Sequence, residues 1–320
     1  IFFFFYNYYF FPKYPKLLSY IKSMKTLYIE CNMGAAGDML MAALLEICPE
    51  PEAFVEKLNS LQIPKVTYRC EKSVKCGVTG THMSVLIDGE EEESADVTGH
   101  HHGHSHADEH EHHHEHGHSD EHGHYHEHSH SDEHDHHHEH SHSEGHHHHG
   151  PHTSMSDITR MIEALDIPQK VKQDAIAVYQ LIAEAESHVH GKPMEEIHFH
   201  EVGTIDAVAD VVGVCFLIHE LAPEQIVASP VHVGRGQVHC AHGILPVPAP
   251  ATAHILRGVP IYSGEINGEL CTPTGAALLK YFCEKFGSMP VMQVDRIGYG
   301  MGKKDFEAAN CVRVMFGESV

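Results

Sequence analysis

The chain has 320 residues, with 45 Asp or Glu against 21 Lys or Arg, 37 His, and a formal charge of −24 at neutral pH. Residues 88–152 hold eighteen of the acids and none of the bases; the rest, with 27 acids and 21 bases, carries only −6, which argues against a nucleic-acid partner. Nine scattered cysteines without a CxxC pair argue against a disulfide framework or a zinc knuckle and fit a reducing cytoplasm.

Residues 1–11 are almost all Phe, Tyr and Ile, and Pro12, Pro15 and several Lys follow before Met24. Such a run is too short to cross ~30 Å of hydrocarbon as a helix. Residues 1–23 therefore read as upstream sequence or a mis-called start, with a membrane anchor as the alternative. From Met24 the pattern changes. Residues 27–31 read as a strand, 32–38 as a glycine-rich turn and 39–47 as a helix. Residues 51–61 predict a second helix, and 66–74 and 82–87 predict strands around a turn at Cys76, Gly77 and Gly80.

After the His-rich tract, Ser156 and Asp157 are expected to cap a helix ending near Leu165, and Pro168 to start a longer one reaching about His188. Residues 205–221 predict another helix. Residues 226–229, with Val231 and Val233, predict strand; 234–250 predict an extended loop stiffened by Pro246, Pro248 and Pro250, and 251–257 a helix. Thr272-Pro273-Thr274-Gly275 is placed to cap a helix over 276–286, and 311–316 is the last strand. Helices alternating with short strands predict the α/β class. The domain is of strand–loop–helix type, in two parts (24–87 and 153–318), and residues 88–152 are a long disordered insertion.

Residues 100–152 contain 27 of the histidines, twelve acids and one aromatic, Tyr125. With so little to bury, such a segment cannot offset a backbone ordering cost of roughly 1–2 kcal/mol per residue. Neutral imidazole and carboxylate are both metal ligands, and imidazole in particular suits Ni, Zn, Cu and Fe. The tract therefore reads as a metal reservoir built from His100, His101, His102, His104, His106, His112, His113, His114, His136, His137, His138, His146, His147, His148 and His149.

A second constellation lies outside the tract. His198 and His200 alternate on an extended segment and so share a side of it, while Asp206 and Asp210 share a helix face, with Glu201 at the join. Two imidazoles and three carboxylates make a divalent-metal site. The alternative has Asp206 meeting the helix dipole and the others solvated. Asp210, however, sits among Val208, Ala209, Val211 and Val212, where a lone carboxylate costs several kcal/mol unless it is paired.

Gly34 and Gly37 open a helix and allow backbone N–H groups to approach an anion such as phosphate. A tight turn with Asp38 as a capping acid is the alternative, and the Lys-Ser/Thr of a P-loop is missing. Arg235 offers bidentate phosphate or carboxylate binding, or a plain surface ion pair. Thr272 and Thr274, with Glu269 nearby, form another candidate anion-binding helix start. Neither GxSxG nor HExxH occurs.

Taken together, Gly34-x-x-Gly37-Asp38-Met39, His198-Phe199-His200-Glu201-Val202-Gly203-x-x-Asp206-x-x-x-Asp210 and Ala241-His242-Gly243-x-x-Pro246-x-Pro248-x-Pro250-Ala251-Thr252 resemble the LarC family of nickel-insertion proteins. Thr272-Pro273-Thr274-Gly275-Ala276-Ala277 and Arg296-Ile297-Gly298-Tyr299-Gly300-x-Gly302 complete the resemblance, which runs from Met24 to about Glu318. It implies a CTP-dependent nickel chelatase that inserts Ni²⁺ into pyridinium-3,5-bisthiocarboxylic acid mononucleotide, for lactate racemase-type enzymes. The family's C-terminal domain, associated with CTP and Mg²⁺ or Mn²⁺, would follow about residue 318. A separately encoded or frameshift-joined copy is the implied partner, with a homo-oligomer possible and neither nucleic acid nor membrane involved. Glu30 stands where the family usually carries Asp. Metallation at carbon releases a proton, for which Asp38 and Glu201 are candidate acceptors. Two rivals stay open: a non-catalytic nickel or zinc storage protein or metallochaperone, and a metal-dependent hydrolase.

Overall fold

Alternating side chains make Met24–Glu30 a central strand, β1: Leu27 and Ile29 enter the main core, while Tyr28 faces the other way. The computed structural model describes residues 23–91, 153–197, 199, 204–240 and 243–320. The strands that follow are β2 (Val66–Lys75), β3 (Val78–Ile87), β4 (Glu90–Glu91), β5 (Gln225–Ala228), β6 (Val231–His232), β7 (Gly234–Arg235) and β8 (Gln237–Cys240). After them come β9 (Gly243–Pro246), β10 (Ile261–Tyr262), β11 (Gly268–Glu269), β12 (Lys285–Phe286), β13 (Met292–Met301) and β14 (Cys311–Ser319). The helices are α1 (Gly37–Glu46), α2 (Pro51–Ser60), α3 (Met155–Ala164), α4 (Gln169–His190), α5 (Ile205–Leu221), α6 (Pro250–Ile255) and α7 (Pro273–Phe282).

The main sheet is mixed, in the order β12-β5-β1-β14-β13-β3-β2, with β4 also on β3. β1 runs antiparallel to β14, from Met24 opposite Ser319 to Glu30 opposite Arg313, and parallel to β5. The sequence before and after the tract builds one compact unit. The α/β expectation holds; the insertion expected to be disordered from residue 88 is ordered at its start, since Glu90–Glu91 pair with β3 as β4, and the rest of it up to 152 falls outside the described residues.

One sheet face, bearing Leu27, Ile29, Val312 and Val314, packs under the helices. α5 is apolar on nearly every side, which makes it the buried centre of the helical layer, beside α1, α4 and α7. α1 lies hard against β13: a Cβ at Gly300 would come within 1.8 Å of the Met39 carbonyl oxygen. No helix among the described residues is long and apolar enough to cross a membrane.

Three local expectations need correction, and one strand went unassigned. α3 is capped by Ser154, not Ser156: the Ser154 hydroxyl accepts from the Asp157 N–H, and the Asp157 carboxylate accepts from the Ser154 N–H. α7 stops at Phe282 because the next residues pair with the sheet edge. Glu284 N–H donates to Ile226 and Gly287 N–H to Ala228, so 285–286 become β12. The expected loop at 234–250 contains the hairpin β8–β9. Finally, the Arg296–Gly302 motif lies largely on a strand, β13, which the sequence reading did not assign. Its glycines weaken the usual strand signature, yet they let α1 sit close.

Candidate functional site

Two helix starts converge on one cavity of about 600 Å³, lined by Asp38 of α1 and Asp206 and Asp210 of α5. Four-residue spacing puts both α5 carboxylates on one face, as the sequence predicts. The facing of α1 and α5 adds the third. All three are half-buried, and Glu91 and Glu269 also line the cavity.

At the α1 start, the Asp38 backbone N–H donates to the Asp210 carboxylate. Gly37 permits this approach, since a Cβ there would lie 2.6 Å from Asp210 Oδ2. The helix start that the sequence offers to phosphate is therefore filled by the protein's own carboxylate. Even so, Oδ1 of Asp206 and Oδ1 of Asp210 are buried and have no hydrogen-bond partner. Burial is the main force pushing the Asp210 carboxyl well above the usual carboxylate range. The Asp38 and Asp206 charges add to the rise, and the Asp38 N–H and Lys303 oppose it. Burial raises Asp38 as well, while the Met39 N–H, His82 and Lys303 hold it down. This floor favours gaining positive charge, as a proton or as a metal ion.

The second wall is the start of α7. Ala35 N–H donates to Leu270 (3.1 Å) and Thr272 N–H to Ala35 (3.1 Å), joining the loop that contains Gly34 to the strand entering α7. Thr272 caps α7 through the Gly275 N–H (3.2 Å), and both Thr272 and Thr274 line the cavity. The sequence-assigned Gly37, Asp38, Asp206, Asp210, Thr272 and Thr274 thus meet in one place, with Gly34 just behind.

Arg235 does not line the cavity. It is exposed, with Nη1 2.7 Å from Glu265 and Nε donating to Asn267 (3.0 Å), which is the surface ion pair left open from sequence. His198, His200 and Glu201 lie outside the described residues, as do the tract histidines from His100 to His149. Among the described residues, no three His, Cys, Asp or Glu side chains are grouped to hold a metal ion. Glu30, where the resemblance expects Asp, pairs with Arg313 at 2.6 Å.

Some lining residues went unnoticed in the sequence. Lys303 and Lys304 follow directly on the Gly298–Gly302 motif, and Lys303 Nζ is 2.9 Å from Glu91. His82 is buried behind this wall, its Nδ1 2.9 Å from the Met301 carbonyl and its Nε2 3.5 Å from Glu91. A pair of lysines directly after a glycine motif was the available signal.

The family model described as "Nickel insertion protein" matches residues 27–320. The chain is 35% identical to the pyridinium-3,5-bisthiocarboxylic acid mononucleotide nickel insertion protein of Desulfitobacterium hafniense, covering 92% of this chain and 59% of that one. It is 38% identical to the protein of the same name in Clostridium kluyveri, covering 92% and 62%. A putative nickel insertion protein of Dictyoglomus thermophilum is 33% identical over 93% of this chain and 62% of its own length. The chain thus spans about six-tenths of the length of these relatives. No solved structure matches it.

Proposed function

This chain belongs to the nickel insertion protein family, and from that premise we propose that it inserts Ni²⁺ into pyridinium-3,5-bisthiocarboxylic acid mononucleotide, forming the carbon–nickel bond of the cofactor of lactate racemase-type enzymes. The carboxylate floor carries this reading. Asp206 and Asp210 present buried oxygens without partners, and burial and mutual repulsion make a cation welcome there. His198, His200 and Glu201 complete the proposed donor set. In support, Phe199, between the two histidines in sequence, is anchored in the core by its N–H to Thr153 (3.0 Å) and an edge contact with Tyr179. Tyr179 in turn feels the charges of Asp206 and Asp210.

Nitrogen and oxygen donors hold nickel without the softness of sulfur. The two thiocarboxylates in the relatives' printed substrate supply softer ligands, so transfer from floor to substrate runs toward the better match. Nickel replaces a proton on the ring carbon, and that proton passes to Asp38 or Glu201. A carboxylate with a raised pKa is the stronger base, which suits Asp38. Thr272 and Thr274 keep their assignment to binding the substrate, as hydroxyl groups on the cavity wall.

CTP with Mg²⁺ or Mn²⁺ belongs, on this reading, to the part of the relatives' length that this chain does not cover. A C-terminal domain is then the partner, in the cytoplasm, in a lyase-class reaction that the chain alone does not complete. Residues 88–152 serve as the metal reservoir. The test mixes the chain, Ni²⁺, the bisthiocarboxylate mononucleotide and CTP, with and without a separately supplied C-terminal domain, and reads product by mass spectrometry. Nickelated mononucleotide in the complete mixture is expected; its absence from both mixtures overturns the proposal.

A further inference from the structure

The cavity carries charge of both signs. Five carboxylates line it, and among its described lining residues Lys303 and Lys304 are the only Lys or Arg. Both lysines sit on the loop between β13 and β14, which also brings Phe306 to the cavity wall. That loop is braced at four points. Gly302 N–H donates to the Asn310 carbonyl (2.9 Å), and the buried Asn310 side chain donates to the Lys304 carbonyl (2.9 Å). The Lys75 ammonium donates to the Lys303 carbonyl (2.9 Å) and to Asp305 (2.6 Å). Two cations and an aromatic ring on a braced loop form a prepared surface, because little conformational freedom remains to be lost when a ligand arrives.

The carboxylate floor repels an anion, and the α1 start already holds Asp210. A negatively charged group entering this cavity is therefore drawn to the two lysines. A volume of about 600 Å³ lies within the usual range for small-molecule sites, roughly 300–1,000 Å³. It has room for one heteroaromatic nucleotide that touches both the lysines and the carboxylate floor.

We propose that the β13–β14 loop is the mononucleotide-recognition element, with Lys303 and Lys304 holding the phosphate and Phe306 lying against the pyridinium ring. The ring is thereby presented to the carboxylate floor, with its own positive charge facing the acids. Lys303 moves its charge from Glu91 toward the phosphate on binding. This deepens the nickel-insertion reading by assigning the substrate's phosphate end, and it rests on that reading only for the identity of the ring.

The experiment uses the full chain without metal and three probes by calorimetry: nicotinic acid mononucleotide, the riboside lacking phosphate, and inorganic phosphate. The mononucleotide is expected to bind about tenfold tighter than the riboside or more, a difference of ~1.4 kcal/mol. In the double variant Lys303→Ala, Lys304→Ala that preference falls to about twofold or less, while the double arginine variant, which keeps the charge, retains it. Equal affinity for mononucleotide and riboside overturns the proposal, as does failure of the mononucleotide to bind at millimolar concentration. A preference that survives the double alanine change also overturns it. Inorganic phosphate binding as tightly as the mononucleotide removes the ring contact and sinks the assignment to a nucleotide. The two readings fail separately. A chain that recognises the mononucleotide here but yields no nickelated product loses the insertion function and keeps this site.

Discussion

Asp210 concentrates the chemistry at the scale of one residue. Its pKa is displaced upward from the ordinary 3.8, chiefly by burial, so ionising it costs more in the folded chain than in the unfolded one. The sign follows from that. This contribution favours folding most below the ordinary carboxylate range and is lost as pH rises through the folded value, at roughly 1.4 kcal/mol per tenfold displacement of the constant. Asp210→Asn keeps the shape and the acceptor for the Asp38 N–H but carries no charge. We expect the metal-free variant to melt several degrees higher at pH 7 and to show a flatter dependence between pH 4 and 7. Nickel insertion should fall at least tenfold. A lower melting temperature at neutral pH would contradict the electrostatic account. Gly37→Ala tests the same contact sterically. Helix propensity alone would stabilise by at most about 1 kcal/mol, but the new Cβ would lie 2.6–2.7 Å from Asp210 atoms and must push α1 from α5. A net loss of about 1–2 kcal/mol in urea unfolding is expected. Asp206 and Asp210 were legible in sequence because their spacing is local. The placing of Asp38 beside Asp210 was not, because it depends on how two helices distant in the chain pack.

Between elements, α4 is tied to α7 by a buried carboxylate, Asp174, whose Oδ1 accepts from the Lys170 ammonium and the Tyr281 hydroxyl, each at 2.6 Å. Tyr281 has its pKa raised by burial and by Asp174, so the hydroxyl stays a donor throughout the neutral range. Tyr281→Phe removes one donor and leaves Lys170 to hold the charge. The expected cost is about 1.5 kcal/mol, the lower end for a hydrogen bond to a charged group, or a melting temperature lower by about 4 °C. Calorimetry checks it, and an unchanged melting temperature would show that Lys170 alone satisfies Asp174. α7 also marks where local reading stops. Its start was legible from Thr272-Pro273-Thr274-Gly275, but residues 283–286 carry no signal as strong as a Gly or Pro stop. Pairing of 285–286 with β5 decides that end, and no local window contains that information. α1 and α5 read clearly because their apolar runs are long. β13 escaped because four-residue motifs with two glycines resemble turns until a helix is packed on them.

For the whole molecule, the outstanding division of labour is between the folded unit and the histidine tract. The unit is built from sequence on both sides of residues 98–150, and its sheet and helical layer close without them. Deleting residues 100–152 is therefore expected to leave the melting temperature of the metal-free chain within about 2 °C, a change of less than ~1 kcal/mol. Nickel capacity should respond very differently. The deletion removes 27 of 37 histidines, so equilibrium dialysis at pH 7.5 should show stoichiometry falling from several ions per chain to about one. Capacity in the intact chain must also fall as pH drops through ~6.5, since an imidazole that has taken up a proton has no lone pair left for a metal. With nickel in excess, product formation by the complete mixture should survive the deletion, and it should suffer only when nickel is scarce. That contrast separates supply from insertion. If the deleted chain makes no product even at saturating nickel, the tract belongs to the reacting site and the carboxylate floor is not sufficient to present the metal.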